Sequence, residues 1–181
     1  MAVVLITDRL LFRDHESADV EAFCAMEADA EVRRYVGGAP RTREAAEHKF
    51  NTVYLPPVTN GLALWATVYR PNQTYIGYCG VYPHFSSVGE PIPGEGTLAF
   101  YLARQYWGRG LATEAGRAFI EHGFDVLGLN KVVATVQEGN AASLRVLQKL
   151  NFTHTGTEVG NLRTYHHFEL IDNVPGPSST I

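Results

Sequence analysis

The sequence predicts an α/β fold of about seven strands and about four helices, and three observations lead to this prediction. Short runs of β-branched and aromatic residues alternate along the chain with longer segments of helical periodicity. The 181 residues are 45% hydrophobic and 19% charged, which is typical of a globular chain. A chain of this length can bury one substantial core, so we expect a single domain over residues 1–173 and a disordered tail over 174–181.

The first half of the chain is expected to hold two long helices and three strands. The helical segments are 17–35 and 42–54, and the strand segments are 5–13, 62–69 and 74–82. Ser17 and Thr42 are the expected N-caps, because a hydroxyl oxygen can accept from the free N–H groups of the first turn. Gly77 and Gly80 lie inside a strand and indicate a bulge or a close backbone approach. Residues 83–96 contain prolines and glycines without periodicity, which predicts a long loop.

The second half alternates strands and helices more regularly. The strand segments are 98–102, 131–137, 152–159 and 163–171, and the helical segments are 111–127 and 140–150. Gly128 is expected to end the first of these helices. Asn151 follows the second, and we predict a positive φ there because asparagine, after glycine, best tolerates the left-handed conformation.

Charge and composition exclude several kinds of partner. The formal net charge of −4 argues against nucleic-acid binding, which usually needs a basic surface. Cys24 and Cys79 are isolated, so they give neither a metal-binding spacing nor a disulfide framework. The first residues do not resemble a secretion signal, and no apolar run reaches the roughly 18 residues of a membrane span. We therefore expect a cytoplasmic monomer or homodimer with no metal and no nucleic-acid or membrane partner.

The segment from residue 97 to 113 has the pattern of a phosphate-binding turn. A short apolar strand leads through Gly108 and Gly110 into a helix that begins at Leu111. The first N–H groups of a helix have no internal partner and lie at its positive end, and glycine lets an anion approach the backbone closely. Arg104 and Arg109 add positive charge. The alternative is a tight turn in which the glycines serve only the backbone geometry.

Two common nucleotide motifs do not fit this turn. A P-loop needs Lys and then Ser or Thr after its last glycine, and here Gly110 is followed by Leu111 and Ala112. A dinucleotide fingerprint needs a third glycine after two more residues, and position 113 is Thr113. Neither nucleotide motif therefore fits this turn.

The spacing Gln105-x-x-Gly108-x-Gly110 resembles the pyrophosphate loop of the GNAT acetyltransferases. The longer string YWGRGLATEA, from Tyr106 to Ala115, is similar to the branch of that family that contains the ribosomal-protein N-terminal acetyltransferases (RimJ/RimL type). A second segment begins at Asn140 as NAASL and ends as KLNF. This segment resembles the other cofactor motif of the same family, in the expected order and at a plausible separation.

The resemblance implies a GNAT fold, with a mixed, mostly antiparallel sheet that splays apart at the strands that bind the cofactor. It implies transfer of the acetyl group of acetyl-CoA to a primary amine, above all a peptide or protein N-terminal α-amine, by direct attack in a ternary complex. Small-molecule amines, such as antibiotics or polyamines, and a non-catalytic domain that senses acetyl-CoA are the alternatives. The residues that the resemblance implies for acetyl-CoA binding are Phe100, Tyr101, Leu102, Gln105, Gly108, Arg109, Gly110, Leu111, Ala112, Thr113, Asn140 and Ser143.

Several of these residues also have a simpler structural interpretation. Asn140 can cap its helix through its side-chain oxygen, and its amide also suits the pantetheine arm of coenzyme A. By resemblance, Ser143 lies near the thioester sulfur and donates a proton to the departing thiolate, whereas helix capping is the alternative. The resemblance further implies that Tyr35, Phe50 and Tyr54 lie near the acceptor, although aromatic residues of this kind are also common in a core.

The general base is the main departure from the family pattern. Related sequences commonly have Glu where this chain has Thr97, and threonine cannot act as a base. Glu95 is the nearest carboxylate and becomes the candidate. The histidines are further candidates, because histidine exchanges protons near neutral pH. They are His84, His154, His166 and His167.

The missing carboxylate favours a weakly basic acceptor. A lysine amine with a pKa of about 10.4 needs about 4.6 kcal/mol to become neutral at pH 7, whereas an α-amine needs only about 1 to 1.4 kcal/mol. A site without a dedicated carboxylate therefore suits an α-amine, or another weakly basic amine, with water carrying the proton away.

Overall fold

The computed structural model describes residues 2–58 and 60–172, which form one eight-stranded sheet with five α-helices. The strands are β1 (Val3–Ile6), β2 (Leu10–Arg13), β3 (Ala63–Tyr69), β4 (Thr74–Phe85), β5 (Pro91–Leu102), β6 (Lys131–Gln137), β7 (Thr153–Val159) and β8 (Thr164–Ile171). The helices are α1 (Val20–Glu27), α2 (Ala30–Arg33), α3 (Arg43–Lys49), α4 (Leu111–Asp125) and α5 (Ala141–Lys149). The tail expected at 174–181 lies outside the described residues.

The sheet is mixed and mostly antiparallel, as expected. Its strand order is β1-β2-β3-β4-β5-β6-β8-β7, and β5 and β6 are the parallel neighbours. This parallel pairing joins only Glu95–Thr97 to Lys131–Val133, although β5 continues to Leu102 and β6 to Gln137. The two strands therefore separate beyond Thr97, and one edge of β5 lacks a strand partner there.

The single strand expected at 5–13 is wrong, because the chain turns back inside it. Thr7 donates its backbone N–H to the carbonyl of Leu10 at 2.9 Å, and β1 and β2 form a hairpin around Asp8 and Arg9. The sequence shows a continuous apolar pattern here because both arms of the hairpin are strands.

The long helix expected at 17–35 is also wrong, since the chain forms three short helical pieces. A 3-10 turn at Ser17–Asp19 precedes α1, and Asp29 caps α2 by accepting the N–H of Glu31 at 2.8 Å. Glu16 occupies the N-cap position expected for Ser17. The backbone N–H of Glu16 donates to the buried carboxylate of Asp19 at 2.8 Å, so the cap depends on that acid.

The loop expected at 83–96 is largely strand. Strands β4 and β5 continue as a long hairpin, and the turn is closed by a 2.8 Å hydrogen bond from Ser86 N–H to the Glu90 carbonyl. Proline lacks an N–H group, but residues 91–94 have a strand partner on one side only, so fewer donors are needed there. The prolines and glycines therefore do not break the strand.

Several local expectations are confirmed. Thr42 caps α3 by accepting the N–H of Ala45 at 3.3 Å, and a π-helical turn at Phe50–Tyr54 extends that helix. Gly128 has a φ of 67° just beyond α4, and Asn151 has the predicted positive φ at 62°.

Two apolar clusters cover the two faces of the sheet. Helices α1–α3 pack on one face around Phe23, Phe50 and Tyr78, whereas α4 and α5 pack on the other around Phe119 and Leu147. Within the described residues, no helix is both long and apolar enough to cross a membrane. Burial of these clusters stabilises the sheet and fixes where β5 meets each helical layer.

Gly77 brings β4 and β5 unusually close together, as the sequence indicated. Its φ is 145°, and a Cβ atom there would lie 2.0 Å from the carbonyl oxygen of Tyr101. The β3–β4 register shifts beside it, between Thr67 and Val68. This bulge sets the position of the last residues of β5, which line the site described next.

Candidate active site

The turn between β5 and α4 has the geometry of an anion cradle. Gly108 has a φ of 72° and Gly110 a φ of 78°, and this left-handed region explains why glycine is used at both positions. Gly110 is the N-cap residue of α4, and no side chain caps the helix there. The start of the helix is therefore left open to another partner.

The N–H groups of residues 108–113 make no hydrogen bond to any other described residue. The next N–H group, that of Glu114, donates to the Gly110 carbonyl at 3.0 Å. The open groups lie at the positive end of a 15-residue helix. Unpaired backbone donors at a helix start suit a phosphate group.

A side-chain brace holds this turn against the β1–β2 hairpin. The carboxylate of Glu114 accepts from the Thr7 hydroxyl at 2.6 Å, from the Arg9 backbone N–H at 2.9 Å and from Arg9 Nε at 2.7 Å. Arg9 Nη1 also donates to the Arg109 carbonyl at 2.9 Å. Burial alone would raise the pKa of Glu114, but the hydrogen bonds from Thr7 and Arg9 outweigh it and lower that pKa. Within the sequence, the only trace of this brace is the Thr-Glu-Ala that follows the cradle.

A groove of about 570 Å³ runs from the cradle along the separated strands β5 and β6 to the start of α5. Ten of the twelve residues predicted to bind the cofactor line it. They are Phe100, Tyr101, Leu102, Gly108, Gly110, Leu111, Ala112, Thr113, Asn140 and Ser143. Gln105 and Arg109 are exposed outside this lining, and the Arg109 guanidinium lies 5.2 Å from the centre of the Tyr106 ring.

The start of α5 forms the far wall of this groove. Asn140 caps the helix, since its Oδ1 accepts the N–H of Ser143 at 3.1 Å. Within residues 2–58 and 60–172, neither the Asn140 amide nitrogen nor the Ser143 hydroxyl has a hydrogen-bond partner. Arg145 and Lys149 also line the groove and were missed, although their spacing of four places both on one helix face.

Helix α2 and the residues after it cover the groove from the other side. Tyr35 and Val36 line it, and the Tyr35 hydroxyl donates to the Gly139 carbonyl at 3.0 Å. The sequence grouped Tyr35 with the acceptor side, whereas its ring and hydroxyl lie at the groove. This contact joins residues 104 positions apart in the chain, so no local pattern could indicate it.

A second cavity of about 440 Å³ opens on the α1–α3 face of the sheet. Four tyrosines line it, namely Tyr54, Tyr78, Tyr82 and Tyr101, together with apolar side chains. Val36 and Tyr101 line both cavities, so the two meet at the end of β5. Of the predicted acceptor residues, Tyr54 lines this cavity, whereas Phe50 is fully buried in the core beneath it.

His15 gives the second cavity an unpartnered polar atom. Its Nε2 lies 3.0 Å from the Leu64 carbonyl, which makes Nε2 the protonated nitrogen. Burial lowers the pKa of His15, so the ring is neutral at pH 7. The Nδ1 of His15 and the hydroxyl of Tyr75 are both buried without a hydrogen-bond partner among the described residues. Nδ1 is thus a buried acceptor without a described partner, in a residue that lines this cavity.

The candidate bases on β4 and β5 form a connected row. Thr97 Oγ1 lies 3.2 Å from His84 Nδ1, and His84 Nε2 lies 3.9 Å from the Glu95 carboxylate. Lys131 binds the other oxygen of Glu95 at 2.7 Å. Tyr82, which lines the second cavity, is the cross-strand neighbour of Thr97, and burial raises the pKa of Tyr82. Glu95 lies outside the lining of both cavities in the described chain.

The other three histidines named as candidate bases lie away from this row, on the β7–β8 hairpin. His154 and His166 both approach the Thr157 hydroxyl, at 3.3 and 3.0 Å, and His167 lies 3.4 Å from Glu158. In the part of the chain that the structure describes, no group of three or more His, Cys, Asp or Glu is placed to hold a metal ion.

The splayed sheet, the open helix start and the paired cavities define an acetyltransferase of the GNAT type. The family model of the acetyltransferase (GNAT) domain matches residues 9–153, and the chain belongs to this family. The resemblance of the cradle and of the second motif to GNAT sequences is thereby confirmed at the level of the family.

Two curated relatives are named as N-acetyltransferases. The chain is 29% identical over 156 residues to the uncharacterised N-acetyltransferase p20 of Bacillus licheniformis, which covers 84% of this chain and 83% of that protein. A shorter match, 44% identical over 50 residues, links it to the human alpha/beta-tubulin-N-acetyltransferase 9 and covers 28% of this chain and 24% of that protein.

Solved structures show the same fold. An acetyltransferase of the GNAT family from Bacillus anthracis superposes with a TM-score of 0.79 at 20% identity, covering 94% of this chain and 98% of that one. The aminoglycoside acetyltransferase AAC(6')-Ib in complex with coenzyme A gives a TM-score of 0.71 at 20% identity, covering 90% and 95%.

Proposed function

We propose that this protein transfers the acetyl group of acetyl-CoA to the α-amine of a peptide or protein N-terminus. The observation that carries this proposal is the meeting of the two cavities at Val36 and Tyr101, where β5 has lost its β6 partner. A donor along the groove and an acceptor in the second cavity would reach each other only there. Holding both reactants in one place supplies much of the rate acceleration in such a transfer.

The cradle and the groove suit coenzyme A in size and chemistry. The open N–H groups of 108–113 would hold the pyrophosphate, and the free edge of β5 at 98–102 would pair with the pantetheine amides like an added strand. Asn140 would bind the pantetheine arm from the far wall through its unpaired amide. A related fold bound to coenzyme A supports this assignment.

The bound thioester supplies an activated acetyl group, and this chain's residues position it for attack. The neutral amine forms a C–N bond to the thioester carbon as the C–S bond breaks. A backbone N–H near Tyr101 or Leu102 would stabilise the negative charge that develops on the carbonyl oxygen. The Ser143 hydroxyl, which has no other described partner, would give a proton to the departing thiolate.

The proton lost by the amine leaves through the row on β4 and β5. We assign its acceptance to His84, which contacts the Thr97 hydroxyl beside Tyr82, with water linking the amine to this row. Glu95 acts behind His84 rather than on the amine, since Lys131 already holds one of its oxygens. This arrangement places no carboxylate beside the amine, and it therefore favours an α-amine over a lysine side chain.

The lining of the second cavity, which we call the acceptor cavity, favours a peptide acceptor over a polycation. Its lining residues include one acidic side chain, Asp14, and one basic side chain, Lys49, among tyrosines and apolar groups. An aminoglycoside or a polyamine carries several positive charges and would need more carboxylates than this cavity offers among its described residues. A small-molecule amine with few charges is the second candidate function.

A thiol-release screen tests the proposal. Acetyl-CoA is supplied with short peptides, an aminoglycoside and a polyamine, and the free thiol is measured for each. We expect thiol release with peptides that have a free N-terminus and none with N-terminally blocked peptides. Stabilisation by coenzyme A of about 2.7 kcal/mol at 100 times its dissociation constant, without thiol release from any amine, would instead indicate a sensing domain.

A further inference from the structure

We propose that the acceptor cavity selects amines that also carry a carboxylate, and that the ammonium group of Lys49 binds this carboxylate. The inference rests on the proposed function and names the chemical class of its acceptor. Lys49 is the last residue of α3 and lines the cavity, and its Nζ lies 5.2 Å from the centre of the Tyr54 ring.

Lys49 is a partly buried cation without an anionic partner. Among the described residues, no carboxylate lies within 4.0 Å of its Nζ. Burial lowers the pKa of Lys49, because the charged form loses contact with water. The charge of Glu27 acts against this shift, whereas those of Arg41 and Arg33 add to it. The charged ammonium group thus has no carboxylate at ion-pair distance that would compensate for its burial.

The nearest carboxylate cannot take this role, because three other groups already hold it. Glu27 is 1% exposed, and its Oε2 accepts from Arg41 at 2.7 Å and from Arg33 at 3.2 Å. Its Oε1 accepts from the Tyr78 hydroxyl at 2.8 Å. Arg33 and Arg41 therefore occupy the Glu27 carboxylate behind the cavity, and Lys49 forms no ion pair with it. The ammonium group of Lys49 is thus the basic group of the described lining that an anion in the cavity can pair with.

A row of tyrosine rings connects Lys49 to the reaction centre. Lys49 lies over Tyr54, whose ring centre is 4.8 Å from that of Tyr78, and the Tyr78 ring is 4.8 Å from that of Tyr101. All of these residues line the cavity. An acceptor with its amine at Tyr101 and its carboxylate at Lys49 would therefore lie along the rings, as a short peptide or an acidic N-terminal residue pair does.

The test compares acceptors that differ only in the carboxylate. The peptide amides Ala-Asp-NH2 and Ala-Asn-NH2 test a side-chain carboxylate, and Ala-Ala and Ala-Ala-NH2 test a C-terminal one. We expect kcat/KM to be at least tenfold higher for one of the two acidic acceptors than for its neutral match, mainly through KM. The pair that shows the preference identifies the source of the carboxylate.

Variants assign that preference to Lys49. Lys49→Met should remove it by raising KM for the acidic acceptor relative to that for its neutral match, and Lys49→Arg should keep it. Arg34→Met is the matched control, since Arg34 is an exposed cation outside the cavity lining, and it should keep the full preference. An equal kcat/KM for acidic and neutral acceptors in the unmodified protein, or a preference that persists in Lys49→Met, overturns the inference.

A binding measurement separates this inference from the proposed function. Calorimetric titration of the protein with N-acetyl-Ala-Asp-NH2 and N-acetyl-Ala-Asn-NH2, or with the corresponding pair of N-acetyl-Ala-Ala ligands, reports the cavity's preference without any turnover. Tighter binding of the acidic ligand that Lys49→Met abolishes supports the inference even if no acetyl group moves. Equal binding of both members of each pair overturns it, whether or not thiol release occurs.

Discussion

The two cavities are built in opposite ways. The groove takes its donors from the backbone, within the short stretch 108–113, and glycine supplies the conformation that exposes them. The acceptor cavity takes its groups from side chains such as His15, Lys49 and Tyr82, which lie on separate elements far apart in the chain. Backbone donors serve one constant ligand, whereas side chains can change the acceptor without disturbing the fold.

We expect the largest effect of a single substitution on stability near Tyr101, where the two cavities meet. Gly77→Ala adds a methyl group 2.0 Å from the Tyr101 carbonyl, at a φ of 145°, so β4 and β5 must move apart. We expect a loss of at least about 3 kcal/mol in the free energy of unfolding, measured by chemical denaturation. Gly156→Ala is the control, since a Cβ there meets nothing within 4 Å, and a small change is expected. Equal stability of the two variants would contradict the close approach at Gly77.

Two alanine variants can distinguish the ligand-binding role of the cradle from the general cost of replacing a glycine that has a positive φ. Gly108 and Gly128 both have a positive φ, near 72° and 67°, and a Cβ at either position meets nothing within 4 Å. Alanine at each should cost about 1–2 kcal/mol of stability. Only Gly108→Ala should also weaken coenzyme A binding, by about tenfold or about 1.4 kcal/mol, measured by calorimetric titration. Equal affinity in both variants would show that residue 108 does not contact the ligand.

Asn140 combines a structural and a binding role that two substitutions can divide. Asn140→Ala should cost about 1 kcal/mol of stability, because the Ser143 N–H loses its acceptor at 3.1 Å. Asn140→Asp keeps that acceptor and should keep the stability. Both variants should weaken coenzyme A binding, because both lose the amide donors. Normal affinity in Asn140→Asp would limit Asn140 to helix capping.

The smallest expected effect is a pH dependence at the brace. The pKa of Glu114 is lowered in the fold, so its contribution is complete above the unfolded value and is lost as the pH falls through the lower folded value. Glu114→Gln should therefore be less stable than the unmodified protein at pH 7, and the difference should shrink below about pH 4.3. Thermal unfolding from pH 3 to pH 7 measures this difference. A constant difference across that range would contradict the brace.

The sequence predicted the second half of the molecule better than the first. Strand 131–137, the cap at Asn140 and the positive φ at Asn151 follow from residues adjacent in the chain, and all agree with the structure. The β1–β2 hairpin was missed because its turn contains no glycine or proline. The 91–97 strand was missed because its prolines are tolerated where β5 has few partners.

The same distinction holds for the site: the sequence predicted features formed by neighbouring residues and missed those formed by residues far apart in the chain. The cradle could be found because its donors are consecutive, and a spacing of glycines records them. The brace from Arg9 to Glu114 and the row from Tyr82 to His84 depend on which strands become neighbours, and that register is a property of the whole sheet. Lys49 gives no local signal at all, since only the folded chain shows that Glu27 is already occupied.

The central claim is that the N–H groups of residues 108–113 hold the phosphates of coenzyme A. Amide NMR of the 15N-labelled protein during titration with coenzyme A measures this directly. The account predicts that the largest shift changes fall on the amides of 108–113, with smaller changes along 98–102 and at Asn140. Saturation with coenzyme A that leaves the 108–113 amides unmoved, while amides elsewhere shift, would contradict it.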